Sequence, residues 1–517
     1  MEVNVYKNIN NITIVGGGSA GWMTATTLAK VFPKKNISLI ESPNIATVGV
    51  GESTIGQLRQ WCALIGLKDK EFIPHTDASL KLSIKFTDFY KKGTAFHYPF
   101  GRMDTQGNHA GFNDWWFKKI AKPNTPTSNF AEVMHPGMAL INENKCTDRE
   151  IENLPWSYKH DTAFHFDATK FGLWLRDHMC IPKGVKHIKE TINTIEVDEH
   201  GIKSLNKKHK ADLFIDCTGF RSRLLSDTMK EPFESYNDLL PNDSAWATRM
   251  KYKNKKKELV SYTNCTAYNN GWIWNIPLWS RIGTGYVYSS KFVDDETALK
   301  EFKKYLGRSS EDLEFRNIKM RVGIHRRLWV KNVCAIGLAA GFIEPLESNG
   351  LYTVHEFLYH LCRALNRDIP TQYDKDCFSA ACKSKFKNFA HFVALHYALS
   401  TRSDTPYWRN NFNKEWSKFL LEIKPTIPGG LEKIAYDKYF DFHWDGRTGL
   451  PQICAGFNFA PTDISSLQYE NYVSDTELLK VAYKEIGSKL DKKKELWKKA
   501  VKKVPTLYNF LKEIHDK

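Results

Sequence analysis

At 517 residues the chain is longer than one compact core of ordinary size, so two or more packed modules are expected, and 42% apolar with 26% charged residues exclude a disordered or fibrous protein. A formal charge of +16 raises nucleic acid as a partner, but the lysines are spread along the chain and concentrate from Lys484 to Lys503, where Lys492, Lys493 and Lys494 read as a solvated helix face. Ten cysteines without CxxC or zinc-type spacing, no apolar signal core and no run near the ~20 residues of a bilayer span lead to the expectation of a reduced, cytoplasmic chain with no metal site and no membrane or nucleic-acid partner.

The β-branched run Asn11–Val15 predicts a buried strand, Gly16–Gly21 a turn, and Trp22–Val31 a helix; a second apolar run, Ile37–Glu41, ends on an acid. This is a βαβ unit. Gly16, Gly18 and Gly21 have the GxGxxG spacing, which brings backbone close to a pyrophosphate. Ser19 and Ala20 complete the turn, whose N–H groups open the helix toward phosphate. Glu41, twenty residues past Gly21, is placed for a ribose hydroxyl. The later runs Ala211–Asp216 and Val333–Gly337 each lead into Gly-containing turns, so the dinucleotide module is expected to be assembled from separated segments. The turn Asp216-Cys-Thr-Gly219 favours FAD over NAD, because in flavoproteins a late strand returns to the flavin nucleotide. No second GxGxxG appears, and Gly283-Thr-Gly285 lacks the following helix. A separate flavin reductase is therefore implied as the source of reduced FAD.

Thr94–Phe117 and Tyr262–Ser290 are aromatic, alternating stretches suited to a second sheet layer. After Leu351 the pattern is mostly helical, with a turn-rich interval from Tyr436 to Tyr472. The expected fold class is α/β: an FAD-binding Rossmann-like module of the flavin-monooxygenase type, a mixed-sheet substrate layer and a mostly helical C-terminal region. The expected division is 1–350 for FAD binding and catalysis, with substrate-side insertions at about 90–165 and 225–320, and 351–517 for a helical region over the substrate site.

At Gly271-Trp-Ile-Trp-Asn-Ile-Pro277 the chain carries a WxWxIP pattern, and here it resembles the flavin-dependent, tryptophan-halogenase-like family. Collinear matches are Gly16–Trp22, Val48-Gly-Val-Gly-Glu-Ser-Thr54, Ser79–Phe86, Phe164-His-Phe-Asp-Ala168, Asp216–Gly219 and Gly337–Gly350. The resemblance places Gly51 and Gly337 beside FAD. It places Trp272 and Trp274, with Ile276 and Pro277, on the flavin side, where the tryptophans disfavour direct oxygen transfer to an organic substrate. Read alone, two Trp at i and i+2 on one strand face are core residues.

The resemblance carries over Lys81 as the catalytic amine, with Lys85 competing for the role, and Glu347 as the catalytic acid. An amine can hold hypohalous acid or its halogen and deliver a diffusible oxidant to one position. Asn349 and Gly350 are the carried-over halide site, although many family members have Thr where this chain has Asn349. His97, Tyr98 and Phe100 fall in a segment that resembles a substrate-facing stretch, with Trp115 and Trp116 nearby. The implied reaction uses reduced FAD (FADH2), O2 and chloride, bromide or iodide to make hypohalous acid, which reaches an electron-rich indole- or phenol-like small molecule through Lys81 while Glu347 assists. The alternatives are an FAD-dependent aromatic monooxygenase, which would not need halide, and a non-catalytic flavin- or nucleic-acid-binding protein. A homo-oligomer is compatible with the sequence.

Overall fold

Four of the five residues of Asn11–Val15 are buried, as expected of a strand covered on both faces. In this computed structural model, which describes residues 8–45, 51–101, 103–104, 111–367, 369–416, 446–459 and 476–516, that strand lies inside a six-stranded sheet. It pairs in parallel with Asn36–Glu41 and Leu213–Asp216, and Val15 is level with Ile40 and Asp216. Lys186–Lys189 and Val333–Ala335 extend the sheet in parallel on either side, and Trp329–Val330 closes one edge antiparallel. Helix Ser19–Val31 follows the first strand and buries nine consecutive residues, Gly21 to Ala29, among them the helices Ala168–Leu175 and Gly350–Leu365.

The chain divides into two compact units. Met1–Ala78, His165–Ala245 and Asn317–Lys387 make the first, built on this sheet; Ser79–Phe164, Trp246–Arg316 and Asn388–Lys517 make the second. Helix Gly350–Leu365 thus belongs with the dinucleotide-type sheet, whereas the sequence groups it with the C-terminal helices.

In the second unit the strands Ile282–Tyr288, Gly271–Pro277, Tyr262–Tyr268, Ser83–Thr87 and Ala95–Pro99 lie side by side. All neighbours run antiparallel except Tyr262–Tyr268 with Ser83–Thr87, which are parallel, so the sheet is mixed as the sequence predicts. Ile273, Tyr286 and Tyr288 bury one face against Ala298 and Phe302 of helix Asp295–Leu306. Strand alternation turns Trp272 and Trp274 to the other face.

Helix Thr476–Ala500 packs on Gly111–Ala121, with Phe117 stacked on Tyr483 at 4.7 Å. Its lysine run is not a uniformly solvated face. Lys492 is exposed, but Lys494 pairs with Glu132 at 2.6 Å, Lys493 donates to the Asp104 carbonyl oxygen, and Asp491 pairs with Lys118. Most of the interval Tyr436–Tyr472 lies outside the described residues; within it, Gly446–Gly456 is helical. Among the described residues no helix is long and apolar enough to cross a membrane, and no group of three or more His, Cys, Asp or Glu is placed to hold a metal ion.

Candidate active site

In the first unit the glycine turn is shaped by close approach. Gly16 has φ of +116°, and a Cβ there would stand 2.2 Å from the Cys217 carbonyl oxygen, so only glycine lets the two strand ends meet. Helix Ser19–Val31 starts at Gly18 with no side-chain cap, and nothing lies within 4 Å of a Cβ built on Gly18. Uncapped N–H groups facing open space fit the pyrophosphate of a dinucleotide. Ser19 turns its hydroxyl to the Ala168 carbonyl oxygen at 3.0 Å, which leaves its backbone N–H for that role. Ala20 packs against Gly337, whose φ is +71° and whose added Cβ would lie 2.8 Å from the Ala20 methyl. Glu41 is held by His187 Nε2 at 2.7 Å with its other oxygen against Gly17.

The Asp216 carboxylate faces its own turn. One carboxylate oxygen accepts from Thr218 N and Oγ1, and the other from Leu224 N and Leu225 N. Burial raises its pKa while these bonds oppose the rise. The carboxylate is occupied in folding the 217–225 turn.

The turn from Gly337 to Gly350 gathers buried acids. Glu344 is fully buried and accepts from Asn242 Nδ2 at 2.6 Å; Glu347 is buried beside it in sequence. Ser348 has φ of +58° and donates to the Ser53 hydroxyl at 3.0 Å, which ties the turn to strand Gly51–Ser53. Asn349, 1% exposed, is the N-cap of the 16-residue helix from Gly350, yet its side chain caps nothing, and its amide oxygen has no hydrogen-bond partner among the described residues. Gly51 sits opposite Asp167, and Glu52 opposite Phe166. Burial, reinforced by the Asp167 carboxylate, pushes the half-buried Glu52 up to about 7.

In the second unit the structure separates the two candidate lysines. Lys81, on strand Ser79–Lys81, is fully buried with its ammonium 5.0 Å from the Phe100 ring centroid. Lys85 is half-buried, level with His97 across the strand pair, and lies 5.6 Å from the Tyr262 ring. Ser79 donates to the Pro277 carbonyl oxygen and Leu82 N to that of Ser261, so the Lys81 segment is fastened to the end of the WxWxIP strand. Ile276 and Pro277 are buried there; the rings of Trp272 and Trp274, also buried, lie 6.1 Å apart.

Of the predicted substrate residues, Tyr98 and Phe100 are edge-on to each other at 6.2 Å, and Phe392 packs on Tyr98. His97 turns the other way, bonded to Ser83 Oγ at 3.0 Å and edge-on to Tyr262; burial, then Lys85, pushes its pKa down to about 3. It is therefore not grouped with Tyr98 and Phe100. Helix Gly446–Gly456 closes on this wall through Gly449, where a Cβ would be 2.9 Å from the Tyr98 hydroxyl, and through Gly456 against Phe96. The same helix supplies Gln452, which donates to Nε2 of buried His135. Trp115 and Trp116 are buried against each other at 4.7 Å.

Sequence reasoning did not single out Glu52, Asn242, His187 or Gln452. Glu52 stood inside a quoted motif; the other three act through contacts remote in sequence and carried no local signal.

A family model described as tryptophan halogenase matches residues 11–426. The tryptophan 6-halogenase SttH of Streptomyces toxytricini is 34% identical over 442 residues, covering 80% of this chain and 83% of that protein. The tryptophan 6-halogenase ThaL of Streptomyces albogriseolus is 31% identical over 98% of this chain and 99% of its own length. Among solved structures, apo VirX1 superposes with a TM-score of 0.88 at 37% identity, covering 98% of this chain and 99% of that one. Tar14, a tryptophan C-6 flavin-dependent halogenase from taromycin biosynthesis, gives 0.84 at 27% identity over the same shares.

Proposed function

The chain belongs to the tryptophan halogenase family and is a flavin-dependent halogenase of an aromatic substrate, and from that premise we propose that its flavin is FAD, its catalytic amine Lys81 and its catalytic acid Glu347. The observation that carries this reading is the full burial of Lys81 against Phe100, while Lys85 lies half-buried beside the Tyr262 ring. Gly16, Gly18, Ser19, Ala20 and Gly21 would hold the FAD pyrophosphate on backbone N–H groups, with Glu41 at the ribose. Gly51, Gly337 and the turn built on Asp216 would shape the rest of the cradle.

Bound reduced FAD supplies, with O2, the oxidation of halide to hypohalous acid. Asn349 and Gly350 bind the halide at the start of a helix, where the backbone dipole favours an anion. Trp272 and Trp274 would disfavour direct oxygen transfer to the organic substrate. Lys81 holds the hypohalous acid by hydrogen bond or as a haloamine, so the oxidant acts at one ring position. The ring attacks the halogen: from hypohalous acid the O–X bond breaks and the departing hydroxide takes a proton from the Lys81 ammonium to leave as water, from the haloamine the N–X bond breaks and the amine is regenerated, and in either case Glu347 takes the ring proton. Tyr98 and Phe100 offer aromatic surface to an indole- or phenol-like substrate.

A separate reductase supplies the reduced flavin, in keeping with the single GxGxxG, and a cytoplasmic location accords with the cysteine pattern. The test is to incubate the chain with FAD, NADH, a flavin reductase and chloride, bromide or iodide in turn, against a panel of indoles and phenols. A halide-dependent mass shift that is absent in Lys81→Ala, with FAD still bound, is expected. Hydroxylated product without halide, or regioselective halogenation by Lys81→Ala, overturns the reading.

A further inference from the structure

Glu52 has no part in the reaction as described, yet it borders the turn assigned to the halide. Its Oε2 lies 3.9 Å from where a Cβ on Gly350 would stand, and the next residue, Ser53, accepts the Ser348 hydroxyl bond. The same turn carries the buried Asn349 amide, whose oxygen has no hydrogen-bond partner among the described residues, at the uncapped start of a 16-residue helix. We propose that Glu52 is the proton partner of the halide: its carboxyl is in the acid form whenever an anion occupies the Asn349–Gly350 turn, so halide and proton enter together. This deepens the halide reading above and rests on it.

The charges around Glu52 decide which group carries the proton. On the paired strand, Asp167 accepts backbone N–H bonds from Thr169 and Lys170 as the N-cap of helix Ala168–Leu175, and its charge adds to burial in raising the Glu52 pKa. His165 of the same strand is level with Ser53. Glu344 and Glu347 precede Gly350 in the turn, and His355 and Glu356 follow on its helix. An ionised Glu52 would add another negative charge where an anion has to bind. In its acid form it removes that charge and presents an O–H donor. Burial and Asp167 both favour the acid form, and the value of about 7 puts the change inside the working range of pH.

The chemistry needs this proton. Reduced flavin, dioxygen, halide and one proton give oxidised flavin, hypohalous acid and water, so one proton is consumed for each halide oxidised. The later exchange of ring hydrogen for halogen returns water and leaves no net proton to replace it.

Calorimetric titration of potassium bromide into the FAD-loaded protein, in buffers of different ionisation enthalpy, counts protons taken up per bromide. Close to one is expected at pH 8.5 and close to none at pH 6, with Kd rising about tenfold per pH unit above 7. Glu52→Gln should bind bromide with no proton uptake and a flat pH profile. Saturable binding by the parent chain without proton uptake at pH 8.5, or uptake that persists in Glu52→Gln, leaves the halide site standing and overturns the role of Glu52. No saturable binding at either pH overturns the halide reading, and this proposal with it. The proton count on the parent chain decides the question even if the variant fails to fold.

Discussion

Gly285 offers a direct measure of how tightly the WxWxIP strand is built. It lies opposite Trp274, and an added Cβ would stand 2.1 Å from both Cζ2 and Cη2 of that indole and 2.6 Å from the Trp246 carbonyl oxygen. Carbon atoms rest about 3.5–4.0 Å apart, so in Gly285→Ala the indole must retreat by roughly 1.5 Å. The Trp246 side is backbone and cannot give in the same way. Overpacking of this kind costs about 1–3 kcal/mol, and with one contact on main chain the upper half of that range is expected. Trp274→Phe removes the benzo atoms that carry the ring clash, so the double variant should recover about 1 kcal/mol, the Trp246 contact remaining. The assay is urea unfolding of the parent, both single variants and the double, followed by fluorescence and circular dichroism, with halogenated product measured on each. Stability of Gly285→Ala within about 0.5 kcal/mol of the parent, or strict additivity in the cycle, would refute the packing argument.

Two further outcomes follow from buried groups. In Asp216→Asn the amide NH2 must face two of the four donors that the carboxylate now accepts, leaving buried N–H groups unmatched; a loss of about 2–5 kcal/mol is expected, with flavin lost on gel filtration. Retention of both stability and flavin would show that the 217–225 turn does not depend on this carboxylate. His135 is held down at about 3 by burial and by Lys493, whereas an unfolded histidine titrates near ~6.5. The unfolded chain therefore binds the extra proton between those values. The contribution is complete above the unfolded value and is lost at about 1.4 kcal/mol per pH unit as pH falls toward the folded one. Unfolding free energies of His135→Gln and parent from urea titration should differ by a constant above about pH 6.5 and converge by that slope from there toward pH 5; parallel profiles throughout would refute it.

The sheet of the first unit was legible because a strand buried on both faces leaves an unbroken β-branched run, and because GxGxxG marks where it turns into a helix. The mixed sheet was legible as alternating aromatic stretches. The grouping of segments into units was not, since the second unit is assembled from three stretches that no linker composition marks. Lys81 and Lys85 could not be told apart by spacing: both sit in apolar surroundings, and only the break between Ser79–Lys81 and Ser83–Thr87 sets their faces. Neighbours on a strand point to opposite sides, so His97 goes with Lys85 while Tyr98 goes with Phe100, a separation that a run of adjacent candidates does not convey. Part of the lysine run was misread as solvated because its acids, Glu132 and Asp104, come from a segment more than three hundred residues earlier.

Buried charges in the chain serve different ends. The Asp216 carboxylate meets four N–H or O–H groups that account for its burial, and its removal costs stability. Lys81 is a buried cation whose ammonium lies against the Phe100 ring, a cation–π contact worth about 0.5–2 kcal/mol. Withdrawing an ammonium from water costs several kcal/mol, a cost that an apolar side chain of similar volume avoids. An amine able to hold an electrophilic halogen gives that cost a use. The result that separates catalysis from folding is therefore a loss of halogenated product in Lys81→Ala far larger than its loss of stability, and a loss of product that only tracks unfolding would refute the catalytic reading.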